Sequence, residues 1–294
     1  MPLNLAELAK KVRVTDGAWG TQLQQLGLPG GSPPEIWNAS NPQEVLSVAR
    51  AYVQAGSDII LTNTFGANRF VLDAHGVGSR AAELAEKGVL LSKQAADKDV
   101  LVFASMGPTG KIVMMEDTPK ESIASAFAET AEALAFGGAD AIVLESFAEL
   151  EEIAIALRAV KKACSLPVVI SMTFASGPDK ALTMMGNKAA DLAALANHEG
   201  ADAVGANCGV GPESYISVCR QLRAATHLPI WIKANAGLPV LTREGTKFPM
   251  GPAEFASFAP KLIEAGANFI GGCCGTRPEH IKALRSAVNV AGNS

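Results

Sequence analysis

Eight short apolar runs recur along this chain, separated by longer Ala/Leu/Glu-rich stretches, and that alternation limits the fold more than any other feature. The runs cover residues 12–15, 58–64, 100–105, 140–145, 167–173, 202–207, 229–235 and 268–273. Most are continuously apolar rather than alternating, as parallel strands buried on both faces require. The stretches between them carry helix punctuation. Gly56, Gly138, Gly200 and Gly266 each stand where a helix should stop, and each is followed within two residues by Asp or Asn. The strings at 41–44, 118–121, 146–149 and 276–279 read as capping boxes at helix starts, three of them with Pro in the first turn.

Eight strand–helix units in 294 residues predict a (β/α)8 TIM barrel, a single domain spanning 1–294. A doubly wound sheet would use similar units but fewer strands, and it would carry a phosphate-binding glycine fingerprint that this sequence lacks. The Gly- and Pro-rich segment 27–38 is placed to cover the mouth of such a barrel. Residues 1–11 read as a short amphipathic helix without a signal-peptide core, and no apolar stretch reaches membrane-spanning length.

Composition excludes several function classes. Hydrophobic residues make up 48% and charged residues 18%, enough apolar material for a full core. A net charge of −4 without a Lys/Arg-rich run argues against nucleic acid or an anionic membrane as partner. Five cysteines, two of them adjacent, fit a reducing, cytoplasmic setting, where clustered thiols more often mean metal or catalysis than disulfide.

In a barrel, functional side chains sit where strands end and the following loops begin. Those ends are unusually polar here: Asp16-Gly17-Ala18, Asn63-Thr64, Thr109, Glu145-Ser146, Thr173, Asn207-Cys208, Asn235 and Cys273-Cys274. Cys208 closes the sixth run, and Cys273 with Cys274 closes the eighth. On a barrel these three sulfurs converge at one rim, with a fourth metal position free, which describes a catalytic zinc site. Strand alternation would point Cys273 and Cys274 to opposite faces, so the chain must turn between them; the flanking Gly271, Gly272 and Gly275 permit that. A single buried cysteine is as easily a small hydrophobe, and Cys164 and Cys219, in helical stretches, are assigned to packing.

Three thiolates on Zn2+ suit thiol activation. Zinc lowers the pKa of an added thiol, and the electron-rich ligand set leaves its sulfur nucleophilic. Hydrolytic zinc usually has His and carboxylate ligands, yet only four His occur and none lies at a strand end. Thiol alkylation is the better match. Asp16 and Glu145 could hold a substrate ammonium group while the Gly17 and Ala18 amides take its carboxylate; capping or surface solvation is the plainer reading of each carboxylate. Asn207 and Asn235 would support either the loops or the metal ligands.

The strings DGAWGT (16–21), NTFGANR (63–69), GPTG (107–110), NCGVGP (207–212), NAG (235–237) and GGCCGT (271–276) resemble the homocysteine S-methyltransferase family, in order and over essentially the whole chain. Within that family the likeness is greatest to the homocysteine-binding module of cobalamin-dependent methionine synthases. The resemblance implies Cys208, Cys273 and Cys274 as zinc ligands and homocysteine as methyl acceptor. It also implies Asp16 and Glu145 at the amino group, Gly17 and Ala18 at the carboxylate, and Asn235 beside the metal. Ala234 departs from the Pro usual before NAG in the synthase-like pattern. The DGAxGT and NTFGANR wording favours a methyl-corrinoid protein, with methylcobalamin carried on a separate chain, as donor. S-methylmethionine, S-adenosylmethionine and betaine are the alternative donors, with Trp19 and Trp37 available for a cation site. Another small thiol is the alternative acceptor, and a metal-binding or carrier-docking module without turnover is the non-enzyme alternative.

Overall fold

All eight apolar runs form strands of one sheet. The computed structural model describes residues 3–242 and 245–291. Its strands are β1 (Arg13–Val14), β2 (Ile59–Ile60), β3 (Leu101–Met106), β4 (Ala141–Phe147), β5 (Val168–Met172), β6 (Ala203–Asn207), β7 (Ile230–Ala234), β8 (Val240–Thr242), β9 (Gly245–Lys247) and β10 (Phe269–Gly272). Setting aside the antiparallel β8–β9 hairpin, the other eight are parallel in the order β1-β10-β7-β6-β5-β4-β3-β2. A parallel bridge from Thr15 to Ile59 brings the two ends of that sheet together. The result is a single-domain (β/α)8 TIM barrel. Helices such as Pro42–Gln54, Lys120–Phe136, Leu150–Ala163 and Pro278–Ala291 surround it, and the helical layer after β7 is broken into Pro252–Ala256 and Ala259–Glu264.

Strand alternation divides the apolar side chains between two cores. Val102, Ala104, Ile142, Leu144, Ile170 and Val204 point outward into the layer beneath the helices. Ile59, Phe103, Val143, Val169, Ala203, Trp231 and Phe269 fill the barrel interior. Trp231 stacks on Phe103 with ring centroids 5.9 Å apart, and Leu5 packs into the same cluster from the N-terminal helix Leu5–Leu8. That helix is shorter than the sequence suggests, and Met1 and Pro2 lie outside the described residues. Two residues further along each strand the inward position changes character. Phe103 gives way to Ser105, Val143 to Glu145, Val169 to Ser171, Trp231 to Lys233, and Phe269 to Gly271 and then Cys273.

The glycine punctuation has a physical basis. Gly56, Gly138, Gly200 and Gly266 all adopt the left-handed conformation, with φ of 94°, 88°, 71° and 104°. Two residues on, Asp58, Asp140, Asp202 and Asn268 each accept the backbone N–H of a neighbouring strand. The partners are Val14 (2.7 Å), Val102 (2.7 Å), Val168 (2.8 Å) and Ile230 (2.9 Å). Their own N–H groups donate back to the carbonyls of the same four residues. Four strand pairs are thus stapled at the N-terminal rim.

The capping boxes are a correction. Helices begin near each expected string, but Asn41, Pro119 and Glu149 stand at the N-caps of Pro42–Gln54, Lys120–Phe136 and Leu150–Ala163 without a side-chain cap bond. The side chains have other partners. Glu149 accepts from the Val113 and Met114 amides, and Thr276 Oγ1 accepts from Ala18 N–H and donates to Cys273 O. Ser146 remains within β4, at a bulge, with φ of 64°. Among the described residues no helix is long and apolar enough to cross a membrane.

Candidate active site

Cys208 and the Cys273–Cys274 pair meet at the C-terminal rim, where all three sulfurs lie within 4.8 Å of one another. Cys208 follows the last residue of β6 in a left-handed conformation (φ 64°), a strained state for a residue with a Cβ. Three bonds hold it there: its N–H donates to Lys233 O (3.0 Å), and its carbonyl accepts from Val210 N–H (2.7 Å) and the Tyr215 hydroxyl (2.5 Å). The expected turn at the pair is present. The chain leaves β10 after Gly272, Thr276 N–H closes onto Cys273 O (3.1 Å), and Gly275 takes φ of 79°. A side chain at Gly272 would put its Cβ 2.3 Å from Thr276 Oγ1, so the close approach requires glycine.

The thiols act on one another. Hydrogen bonds from Cys273 and Cys274 draw the Cys208 thiol down to about 3, helped by the Asn235 side chain, and Cys274 is pushed up to about 12 by its bond to Cys208. Cys208 is therefore the thiol of the three that ionises most readily. Asn235 Oδ1 is buried without a partner.

The sulfurs border a cavity of about 340 Å³ that Gly17, Ala18, Trp19, Glu35, Asn63, Phe65, Ser105, Glu145 and Lys233 also line. Glu145 Oε1 accepts from Ser105 Oγ (2.5 Å), and burial raises its pKa, opposed mainly by the positive charge of Lys233. Asp16 is fully buried behind the cavity wall. Its Oδ2 accepts from Trp19 Nε1 (2.8 Å) and Leu61 N–H (2.7 Å), and Oδ1 pairs with Lys233 Nζ. Gly17 and Ala18 line the cavity, but the Ala18 amide already donates to Thr276 Oγ1 (3.1 Å). Asn207 is used between strands: Oδ1 accepts from Ser146 N–H and Ser171 Oγ, and Nδ2 donates to Ser146 Oγ. From segment 27–38, Pro34 and Glu35 reach the cavity. Trp19 lines it too, whereas Trp37 packs against the outer core. Cys219 is buried in the helix Pro212–Ala225, and Cys164 caps the end of Leu150–Ala163, both remote from the cluster.

Sequence reasoning missed Lys233, Ser105, Thr276, Glu35 and Tyr215. Lys233 had a readable signal: a lysine inside the apolar run IWIKA, in step with Trp231 and Asn235. A larger depression, about 590 Å³, opens at the opposite rim. Its ionic groups are already used, Asp202 by Val168 N–H and Arg223 by the Thr226 and Leu228 carbonyls.

The family sequence model described as Homocysteine S-methyltransferase matches residues 13–288. The chain belongs to the homocysteine S-methyltransferase family. Among its relatives are methionine synthases of Mycobacterium leprae and Mycobacterium tuberculosis, each 32% identical over 97% and 96% of this chain. The chain spans about a quarter of their length, 25% in both cases. Of solved structures, the homocysteine methyltransferase MmuM from Escherichia coli in its metallated form superposes with a TM-score of 0.78 at 24% identity, covering 96% of this chain and 98% of that one. Its oxidized form gives 0.77 at 25% identity, covering 94% and 95%. The barrel therefore matches nearly the whole of the MmuM chain but only a quarter of the two methionine synthases.

Proposed function

We propose that this barrel is a zinc-dependent S-methyltransferase that methylates homocysteine to methionine. The observation that carries the reading is the set of three sulfurs facing a cavity that also holds Glu145. Tetrahedral zinc with Zn–S bonds of about 2.3 Å needs sulfurs about 3.8 Å apart, and Cys208 Sγ lies 3.7 Å from Cys274 Sγ. Cys208, Cys273 and Cys274 would hold the ion, which supplies the positive charge that keeps an added thiol ionised near neutral pH. Asn235 steadies Cys208 from behind.

The chain's own residues do the positioning. Glu145 takes the substrate ammonium, the Gly17–Ala18 turn borders its carboxylate, Asp16 fixes the wall behind them, and Asn207 locks β4 to β6 so that Glu145 and Cys208 keep their spacing. The homocysteine sulfur then attacks the donor's methyl carbon in line. A new C–S bond forms, and the old bond's electron pair leaves with the donor. The transfer itself would need no general base, because a thiol ionised on binding has already released its proton to solvent; the rate gain comes from orientation and an ionised nucleophile.

As donor we infer a methyl-corrinoid protein, its methylcobalamin carried on a separate chain or domain. Most of the exposed large apolar side chains among the described residues, Phe65, Met114, Met115, Met184 and Leu241 among them, sit in segments leaving the C-terminal rim, as a docking partner at the mouth would need. A reducing, cytoplasmic location goes with thiols held this close. The test is a donor screen on reduced, zinc-loaded protein with homocysteine, using methylcobalamin, S-methylmethionine, S-adenosylmethionine and betaine. Methionine formed from methylcobalamin supports the reading. Turnover only with a small sulfonium or betaine replaces the donor, and no turnover with any donor leaves a metal-binding module.

A further inference from the structure

The cavity contains a buried cation that the homocysteine reading leaves without a task. Lys233, the penultimate residue of β7, is 2% exposed and lines the cavity. An ammonium group has three donors. Two are used within the protein, one on Asp16 Oδ1 and one on Asp16 O at 3.2 Å. The third has no hydrogen-bond acceptor among the described residues; the Trp231 ring centroid lies 5.9 Å from the nitrogen. Asp16, the other half of the pair, is 0% exposed, does not line the cavity, and has both carboxylate oxygens bonded internally. The two strand-end carboxylates therefore do different things. Glu145 faces the cavity with Oε2 unbonded and Oε1 on Ser105, whereas Asp16 faces Lys233.

We propose that Lys233 binds the α-carboxylate of the acceptor amino acid, so that its zwitterionic head group is read by Glu145 on the ammonium and Lys233 on the carboxylate, with Asp16 as the positioning residue that aims Lys233. Two further observations support this over a purely structural ion pair. Of the two backbone amides expected at the carboxylate, the Ala18 N–H is already committed to Thr276, which leaves only that of Gly17. Charge also favours it: Glu145 matches the substrate ammonium, and without Lys233 the substrate carboxylate would enter beside two buried carboxylates, Asp16 and Glu145, with no cation near it. A zwitterion fits this arrangement, and a simple thiol does not. Because removing a buried charge without its partner is costly, Lys233 should be found only where Asp16 is retained.

The inference rests on the homocysteine reading, and the experiment separates the two. Binding of three thiols to zinc-loaded protein is measured by calorimetry: homocysteine, 4-mercaptobutyrate, which lacks the ammonium, and 3-mercaptopropylamine, which lacks the carboxylate. If wild type binds none of them, the homocysteine reading fails. If it binds homocysteine, Lys233→Gln should weaken homocysteine and 4-mercaptobutyrate by about 10- to 100-fold, the size of a lost charge-assisted hydrogen bond, while 3-mercaptopropylamine is nearly unaffected. Glu145→Gln should show the reverse selectivity, weakening homocysteine and 3-mercaptopropylamine. An equal loss for all three thiols in Lys233→Gln, with zinc content preserved, would make the lysine merely structural and overturn the proposal. If that variant does not fold, Asp16→Asn replaces it: it keeps the shape and a partner for Lys233 but removes the charge that offsets the lysine, so the expected result is a change in affinity for homocysteine and 4-mercaptobutyrate that 3-mercaptopropylamine does not share, with a uniform change or none overturning the proposal.

Discussion

The two rims of this barrel are made by the same eight strands and use their polar groups in opposite ways. At the N-terminal rim Asp58, Asp140, Asp202 and Asn268 each close a two-bond staple with the neighbouring strand, and each follows a left-handed glycine that turns the chain into place. At the C-terminal rim bonding capacity is left over: the third donor of Lys233, Glu145 Oε2, Asn235 Oδ1 and the three clustered thiols. Two non-glycine residues there, Ser146 and Cys208, hold left-handed backbone. One end spends its polar groups on fixing strand register and the other keeps them open for a ligand, the division expected when fold and function occupy opposite ends of a barrel.

The sharpest test of that division is the Cys208→Ser, Cys273→Ser double variant. Zinc by elemental analysis should fall to background. Methyl transfer to homocysteine should drop by at least about a thousandfold, since the metal's stabilisation is worth several kcal/mol. The far-UV spectrum should stay that of the wild type, because none of the four staples is touched. Full zinc content in this variant would remove the metal assignment.

A matched pair of alanine variants then asks whether the functional rim is also a structural weak point. Asp16→Ala strands the Lys233 ammonium in the interior and should cost about 3–5 kcal/mol in urea unfolding. Asn268→Ala leaves the Ile230 N–H without its acceptor and removes the side-chain bond to Ala9 O, and should cost about 1–3 kcal/mol, with zinc content and acceptor affinity unchanged. If the staple variant proves the more destabilising, the open rim contributes little to stability and the comparison between the rims becomes absolute.

Much of this was legible in the sequence because it is local. Each strand is a continuous apolar run and each turn into it carries its own glycine, so eight strands could be counted and the cysteines placed on one rim without knowing any contact. The cysteine turn was legible too, from Gly271, Gly272 and Gly275. What could not be read depends on closure. Asp16 and Lys233 are 217 residues apart and meet only because β10 lies between β1 and β7 and brings both to one end of the barrel. The caps failed for a related reason: whether Thr276 turns to its own helix or to Ala18 is decided by the loop after β1, 258 residues away. Asp16 in the motif DGAWGT is expected at the substrate, but its bonds to Leu61 and Lys233 are set by closure and have no signal in the motif.

The smallest effect concerns Glu35, a carboxylate of the C-terminal rim that is 2% exposed and lines the cavity. Burial raises its pKa above the ordinary 4.5, only partly offset by its own amide and that of Gly66, which donates to Oε1 at 2.6 Å. A folded pKa above the unfolded value means that the native state binds this proton more tightly. The group therefore costs nothing below pH 4.5 and removes stability as pH rises from 4.5 through the raised folded value. Glutamine in its place has no charge to bury. The stability of Glu35→Gln relative to wild type should thus be flat in acid, climb across that window and level off above it, as read from urea midpoints along a pH series. A gap that shrinks with rising pH would mean that the Gly66 amide prefers the carboxylate strongly enough to outweigh its burial, and Glu35 would then join the staples as a group whose charge holds the fold together.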